Sequence, residues 1–121
     1  MKECLLVGLG GALGAMLRYS ISSIPLKSEF PWLTLLVNFV GAILIGAIVA
    51  FTLRYTQTSP NLILFLKTGV CGGFTTFSTF SLEAVTLLEA HKYGAGCSYI
   101  LLSVLLCLVG VILGKQLILH L

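Results

Sequence analysis

The chain has few charged residues and none of the side-chain sets that a soluble enzyme needs. Only 9% of its 121 residues are charged, whereas a soluble domain carries about 25%. Its lysines and arginines form no cluster of the kind that binds nucleic acid. The two histidines, His91 and His120, fall in a loop and at the C-terminus, so no Ser/His/Asp set and no enzyme is indicated.

The cysteines exclude two further classes of protein. Cys4, Cys71, Cys97 and Cys107 show no CxxC spacing and no neighbouring histidine, which argues against a zinc site or a disulfide framework. We interpret them as small apolar residues.

What remains is mostly apolar: 58% of the residues are hydrophobic and the mean hydropathy is +1.09. Because a helix of about 20 apolar residues crosses a bilayer core, we expect four membrane spans, at residues 4–24, 32–53, 62–89 and 97–118. The loops between them are short and no linker divides the chain. The prediction is an all-α integral membrane protein whose residues 1–121 form one four-helix domain.

The third span differs from the other three. Gly72 and Gly73 lie in its middle, followed by five hydroxyl residues: Thr75, Thr76, Ser78, Thr79 and Ser81. Adjacent glycines weaken a helix, so we expect the span to be broken here. Backbone groups left unpaired in hydrocarbon are costly; freed carbonyls suit a small cation and freed amides an anion. The alternative is a simple kink whose hydroxyls bond back to their own helix.

Polar and aromatic residues follow helical spacings in and around this segment. Thr34 and Asn38 are four apart, as are Tyr99, Ser103 and Cys107. These stripes fit either a permeation path or ordinary hydrogen bonds between helices. Phe74, Phe77 and Phe80 are three apart and predict one aromatic row. The row serves packing, or it points electropositive ring edges at an anion.

The basic residues give no clear orientation in the membrane. Lys2, Arg54 and Lys115 fall on one side of a four-span topology, and Arg18, Lys27 and Lys92 fall on the other. Orientation normally follows an excess of Lys/Arg on the cytoplasmic side, so the balance predicts insertion both ways round and antiparallel pairing of two copies. A fixed orientation set by other factors remains open. Glycine pairs with small-xxx-small spacing predict close helix contacts: Gly10/Gly14, Gly69/Gly73 and Gly110/Gly114.

Three segments resemble the signature segments of the Fluc/CrcB family of fluoride channels. They are residues 10–19 (GGALGAMLRY), 34–41 (TLLVNFVG) and 72–81 (GGFTTFSTFS). The resemblance implies an antiparallel, dual-topology homodimer in a bacterial inner membrane, with two pores through which fluoride leaves the cytoplasm passively. It also implies a structural Na+ at the dimer interface, held by the backbone carbonyls of Gly72 and Thr75 from both copies.

The same resemblance implies a set of site residues. Arg18 corresponds to an arginine near the aqueous vestibule. Cys107 lies where the family often has a hydroxyl, so we leave it out of the polar track. The anion pore is expected to be lined by polar and aromatic side chains of the second, third and fourth spans: Thr34, Asn38, Phe77, Ser78, Thr79, Phe80, Tyr99 and Ser103.

Two other functions fit a short four-span chain. A proton-coupled exporter of the small multidrug-resistance type needs an intramembrane carboxylate. The first span has none, and Glu83 and Glu89 fall toward the end of the third span. A non-transporting scaffold subunit would explain the glycine contacts but not the hydroxyl-rich segment.

Overall fold

The computed structural model describes all 121 residues, and its regular structure is entirely helical. Its elements are α1 (Lys2–Ser22), α2 (Trp32–Arg54), α3 (Pro60–Ile63), a π-helical stretch (Leu64–Cys71), α4 (Gly72–Phe74), α5 (Phe77–Glu89) and α6 (Tyr93–Leu119). The elements from α3 to α5 succeed one another along the third span, Pro60–Glu89. All four predicted spans are therefore confirmed as helical segments long and apolar enough to cross a membrane.

The fourth span begins earlier than predicted. Tyr93 opens α6, whereas the sequence placed residues 91–96 in a loop. His91 takes a left-handed conformation with φ 58°, and the amides of His91 and Lys92 bond back to Leu88 and Leu87. These two hydrogen bonds form a helix C-cap, which ends α5. Because glycine usually occupies the left-handed position, a histidine there gave no sequence signal.

The predicted glycine contacts are found, and the structure assigns their partners. Gly10 and Gly14 of α1 face Gly69 and Gly73 in the first part of the third span. A Cβ added at Gly14 would lie against the Val70 carbonyl oxygen and 2.7 Å from the Phe74 amide nitrogen. On the other side of the molecule, α2 and α6 pack through Gly46, Gly110 and Gly114. The helices thus touch backbone to backbone, as small residues allow.

A polar contact links neighbouring segments at each end of the bundle. Glu29 and Lys92 form an ion pair of 2.6 Å between the first and third loops. At the opposite end, Arg54 Nη1 donates to the Ile118 carbonyl at 2.8 Å and so satisfies one unpaired carbonyl at the end of α6.

The third span leaves helical geometry at Thr75 and Thr76. Their φ/ψ values are −81°/156° and −150°/113°, which are extended. The break was expected at the glycine pair, and this position is wrong, because Gly72 is helical (φ −63°, ψ −40°). Gly73 instead allows contact with α1, since a Cβ there would lie against the Gly11 carbonyl. The extended residues also separate Phe74 from Phe77, so the predicted aromatic row begins at Phe77.

The contact between α1 and the third span generates a first prediction. Gly14→Ala adds a methyl group where the Val70 carbonyl leaves no room, so we expect the free energy of unfolding to fall by about 1–3 kcal/mol. Unfolding by SDS titration in mixed micelles measures it. Gly8→Ala is the matched control, because it changes the same helix where nothing lies within 4 Å. Equal stability of the two variants would contradict the packing.

Candidate functional site

Asn38 holds the backbone of Thr76. Its side-chain oxygen accepts a hydrogen bond from the Thr76 amide at 2.7 Å, and its Nδ2 donates to the Thr76 carbonyl at 3.0 Å. One amide side chain on α2 therefore satisfies both backbone groups of a residue outside the helix. This contact uses one of the two Nδ2 protons of Asn38 and leaves the other free.

The side chains of the extended residues bond to backbone groups of the helical segments before and after them. Thr76 is the N-cap of α5: its Oγ1 accepts from the Thr79 amide at 3.2 Å and donates to Thr79 Oγ1 at 3.0 Å. Thr75 bonds in the opposite direction. Both its amide (3.0 Å) and its hydroxyl (2.9 Å) donate to the Cys71 carbonyl. Capping of this kind stabilises helix ends that have no intrahelical partner.

These contacts redirect two amides away from their helical acceptors. In a continuous α-helix the Thr76 amide would bond to the Gly72 carbonyl and the Thr79 amide to the Thr75 carbonyl. Here the Thr76 amide bonds to Asn38 and the Thr79 amide bonds to Thr76 Oγ1. No hydrogen bond ends on the Thr75 carbonyl, and no side chain donates to that of Gly72. Both residues face an open groove.

Arg18 lies on the α1 side of the same segment. Its Nε is 3.3 Å from the Gly73 carbonyl, to which it donates. Because Gly73 packs on Gly11, the guanidinium contacts the third span on the face opposite the groove-lining Gly72. The structure thus places the predicted vestibule arginine on a backbone carbonyl next to the break.

An open groove of about 660 Å³ runs along α2, the third span and α6. It brings together six predicted site residues: Asn38, Gly72, Thr75, Phe77, Phe80 and Ser103. Cys107, which we left out of the polar track, also lines it. Ser103 is the most notable member, since its side chain is 6% exposed and its Oγ has no hydrogen-bond partner. A buried hydroxyl without a protein partner is unusual, and its proton is free to bond to water or to a ligand.

Thr34 and Tyr99 lie outside the groove lining and bind Glu83 instead. Thr34 Oγ1 donates to Glu83 Oε1 at 2.8 Å, and the Tyr99 hydroxyl donates to Oε2 at 2.7 Å. Each hydroxyl has a single proton, so neither can donate to an anion while this cluster is intact. Our interpretation of Glu83 as a residue near a span end was incomplete, because its carboxylate is bonded between α2 and α6.

The aromatic rings connect this cluster to the groove. The Phe80 ring centroid lies 5.3 Å from those of Tyr99 and Phe77. Phe80 is buried, whereas Phe77 is 77% exposed. Phe77 thus presents its ring on the open side of the groove, and Phe80 closes the inner wall.

Two residues of this site were missed by sequence reasoning, and two predicted pore residues besides Thr34 and Tyr99 lie outside the groove lining. Thr76 was not among the predicted site residues, although threonine is one of the residues preferred at an N-cap. Glu83 follows Phe80 by three positions, a spacing that places both on one helical face. Ser78 and Thr79 lie in the first turn of α5, outside the groove lining.

The fold and the groove define a class of protein: a small multi-pass membrane protein whose third span contains a polar, non-helical segment. Comparison with known proteins then identifies the family. Residues 5–115 match the model of the family described as CrcB-like protein, Camphor Resistance (CrcB), and the chain belongs to it.

Similar proteins span almost the whole chain. The fluoride-specific ion channel FluC of Rhizobium meliloti (strain 1021) is 46% identical over 120 residues, which cover 97% of this chain and 96% of that protein. That of Ruminiclostridium cellulolyticum is 46% identical over 123 residues, covering 97% and 95%. That of Methanococcus maripaludis is 47% identical over 116 residues, covering 95% and 94%. The resemblance in the three sequence segments is therefore confirmed at the level of the family.

The Asn38–Thr76 contact generates a second prediction. Asn38→Asp keeps an acceptor for the Thr76 amide but removes the donor to its carbonyl and adds a negative charge. We expect the free energy of unfolding to fall by about 1–3 kcal/mol, because a backbone carbonyl loses its partner, and we expect no anion conduction. Asn61→Asp is the control, since Asn61 is exposed at the start of the third span. Wild-type stability and conduction in Asn38→Asp would place Asn38 outside the site.

Proposed function

We propose that this chain is a fluoride-selective channel that lets fluoride leave the cytoplasm passively. The observation that carries the proposal is the groove, in which donors with free protons lie next to a segment of unwound backbone. The near-full-length identity to proteins named fluoride-specific ion channels supports the choice of anion.

Fluoride is small and strongly hydrated, so a channel must replace its water shell with several donors. Three kinds of donor belong to residues that line the groove: the hydroxyl of Ser103, the second Nδ2 proton of Asn38, and the electropositive ring edges of Phe77 and Phe80. None of them is positively charged, so none would hold the ion too tightly for release. A narrow path of such donors favours fluoride over the larger chloride.

The other predicted pore residues take indirect roles in this proposal. Thr34 and Tyr99 hold Glu83 through their hydroxyl protons and thereby fix the wall behind Phe80. Ser78 and Thr79 form the first turn of α5, where the partial positive charge of the helix N-terminus favours an anion nearby. Arg18 holds the Gly73 carbonyl and keeps the first half of the span in place at the vestibule.

The functional unit that we propose is an antiparallel homodimer with two pores. In a single chain the groove is open along one side, so a second copy is needed to close it. The balance of basic residues, three on each side of the membrane, supports insertion in both orientations. Two copies related by a two-fold axis would contribute two equivalent grooves.

The residues present fit a structural Na+ at the dimer interface. The Gly72 and Thr75 carbonyls have lost their helical donors and belong to residues that line the groove, and carbonyl oxygens are suitable ligands for a hard cation. A bound cation there would compensate the unpaired carbonyls and supply positive potential close to an anion path. The carbonyls of both copies would hold it.

One observation favours a second candidate, the proton-coupled exporter. Glu83 is a carboxylate within a span and is bonded between helices, so it could carry a proton. The two functions differ in what drives fluoride. A channel conducts electrogenically along the fluoride gradient, whereas an exporter moves fluoride against its gradient when a pH difference is imposed.

Fluoride efflux from liposomes containing the purified chain tests the proposal. We expect rapid, electrogenic efflux that rejects chloride and is unaffected by an imposed pH gradient. Phe80→Ile should suppress this efflux, because it removes the ring edges that line the groove while the protein still forms a dimer by cross-linking. Efflux driven by a proton gradient would indicate a proton-coupled exporter. The absence of efflux would indicate a non-transporting scaffold subunit.

Phe51→Ile is the matched control for the ring. Phe51 is exposed near the end of α2, and its ring pairs only with Tyr55. Normal flux in this variant and in Phe80→Ile would remove the Phe80 ring from the mechanism.

A further inference from the structure

Lys67 is the only charged residue that lines the groove. It lies in the π-helical stretch and shares the groove-lining face with Thr68, Cys71 and Gly72. Its side chain is exposed in the single chain. Lys67 falls within the third span, so the comparison of basic residues on the two sides of the membrane does not include it.

The ammonium group of Lys67 has no anionic partner. Lys92 and Glu29 form the only ion pair in the structure, and no hydrogen bond involves Lys67 Nζ. Glu83, the one carboxylate between helices, already accepts from Thr34 and Tyr99. The remaining carboxylates, Glu3 and Glu89, lie at the ends of α1 and α5.

The position of Lys67 makes this absence of a partner informative. It follows the first residue of the third span, Pro60, by seven positions, which corresponds to about 10 Å along a helix axis. A lysine at that depth is costly in lipid and normally faces a polar cavity or a permeation path. The groove offers polar groups to such a residue, since Ser103, Asn38 and Thr75 lie in the same, mostly apolar lining.

We propose that Lys67 is an anion-attracting residue that raises the local fluoride concentration in the groove. This inference rests on the proposed channel function and assigns a further residue to it. The ammonium acts at a distance on the anion as it enters, and the neutral donors around Ser103 and Asn38 then replace its water shell. A positive charge attracts any anion, so Lys67 contributes to the rate of conduction and not to the rejection of chloride.

Arg18 does not replace Lys67 in this role. Its Nε is bonded to the Gly73 carbonyl on the α1 face of the span, whereas Lys67 lines the opposite, open face. The two cations therefore have separate functions, Arg18 positioning the backbone and Lys67 acting on the ion.

Fluoride currents of full-length protein in planar bilayers, at low and high ionic strength, test the proposal. Lys67→Met removes the charge and keeps most of the side-chain volume, and Lys67→Arg keeps the charge. Lys27→Met removes a lysine from the exposed first loop as a control for general surface charge. The Na+ concentration is fixed and ionic strength is adjusted with N-methylglucamine gluconate.

At low fluoride and about 0.01 M ionic strength, where screening extends over about 30 Å, we expect Lys67→Met to conduct about tenfold less than wild type, the low end of the effect of charged clefts. At about 1 M the difference should vanish, because the screening length falls to about 3 Å. Lys67→Arg, Lys27→Met and the fluoride-to-chloride ratio should stay as in wild type.

Two results would overturn the role of Lys67: wild-type currents in Lys67→Met at low ionic strength, or a loss of current that is equal at both ionic strengths. The second result would indicate a structural role. A wild-type protein that conducts no fluoride would instead overturn the proposed function, so the two failures are distinguishable.

Discussion

The pair of hydrogen bonds between Asn38 and Thr76 is the interaction on which the rest of the site depends. A residue outside regular structure leaves an amide and a carbonyl unpaired, and within an apolar span water cannot satisfy them. Asparagine carries a donor and an acceptor on one side chain, so it can pair with both groups at once. Without this contact the amide and the carbonyl of Thr76 would be left without partners inside an apolar span, which is costly.

Several features follow from that interaction. Because the Thr76 amide binds Asn38 and the Thr79 amide binds Thr76 Oγ1, the Gly72 and Thr75 carbonyls lose their helical partners together. The segment before the break is then held from the other side. Gly69 and Gly73 allow its backbone to rest on α1, and Arg18 donates to the Gly73 carbonyl. The break is therefore held by contacts with α1 on one side and with α2 on the other.

The sequence predicted the spans well and the details of the site only in part. Apolar length alone was sufficient for four helices. The break was expected at Gly72-Gly73. Glycine can provide conformational freedom or allow two helices to approach closely, and the sequence does not distinguish the two. Here Gly73 allows close approach to α1. The hydrogen-bond partners of Thr34 and Tyr99 could not be predicted from the sequence either, since bonds between helices depend on how each helix is rotated about its axis. Lys67 could be interpreted only once the groove was visible.

The most direct measurement of the central claim is the backbone conformation of Thr75 and Thr76 in a lipid bilayer. Solid-state NMR of the reconstituted protein gives it through the Cα and Cβ chemical shifts of these two residues. The account predicts shifts typical of extended backbone at both, flanked by helical shifts at Phe74 and Phe77. Helical shifts at Thr75 and Thr76 would contradict it, because an uninterrupted helix leaves no carbonyl free and no groove wall to conduct an ion.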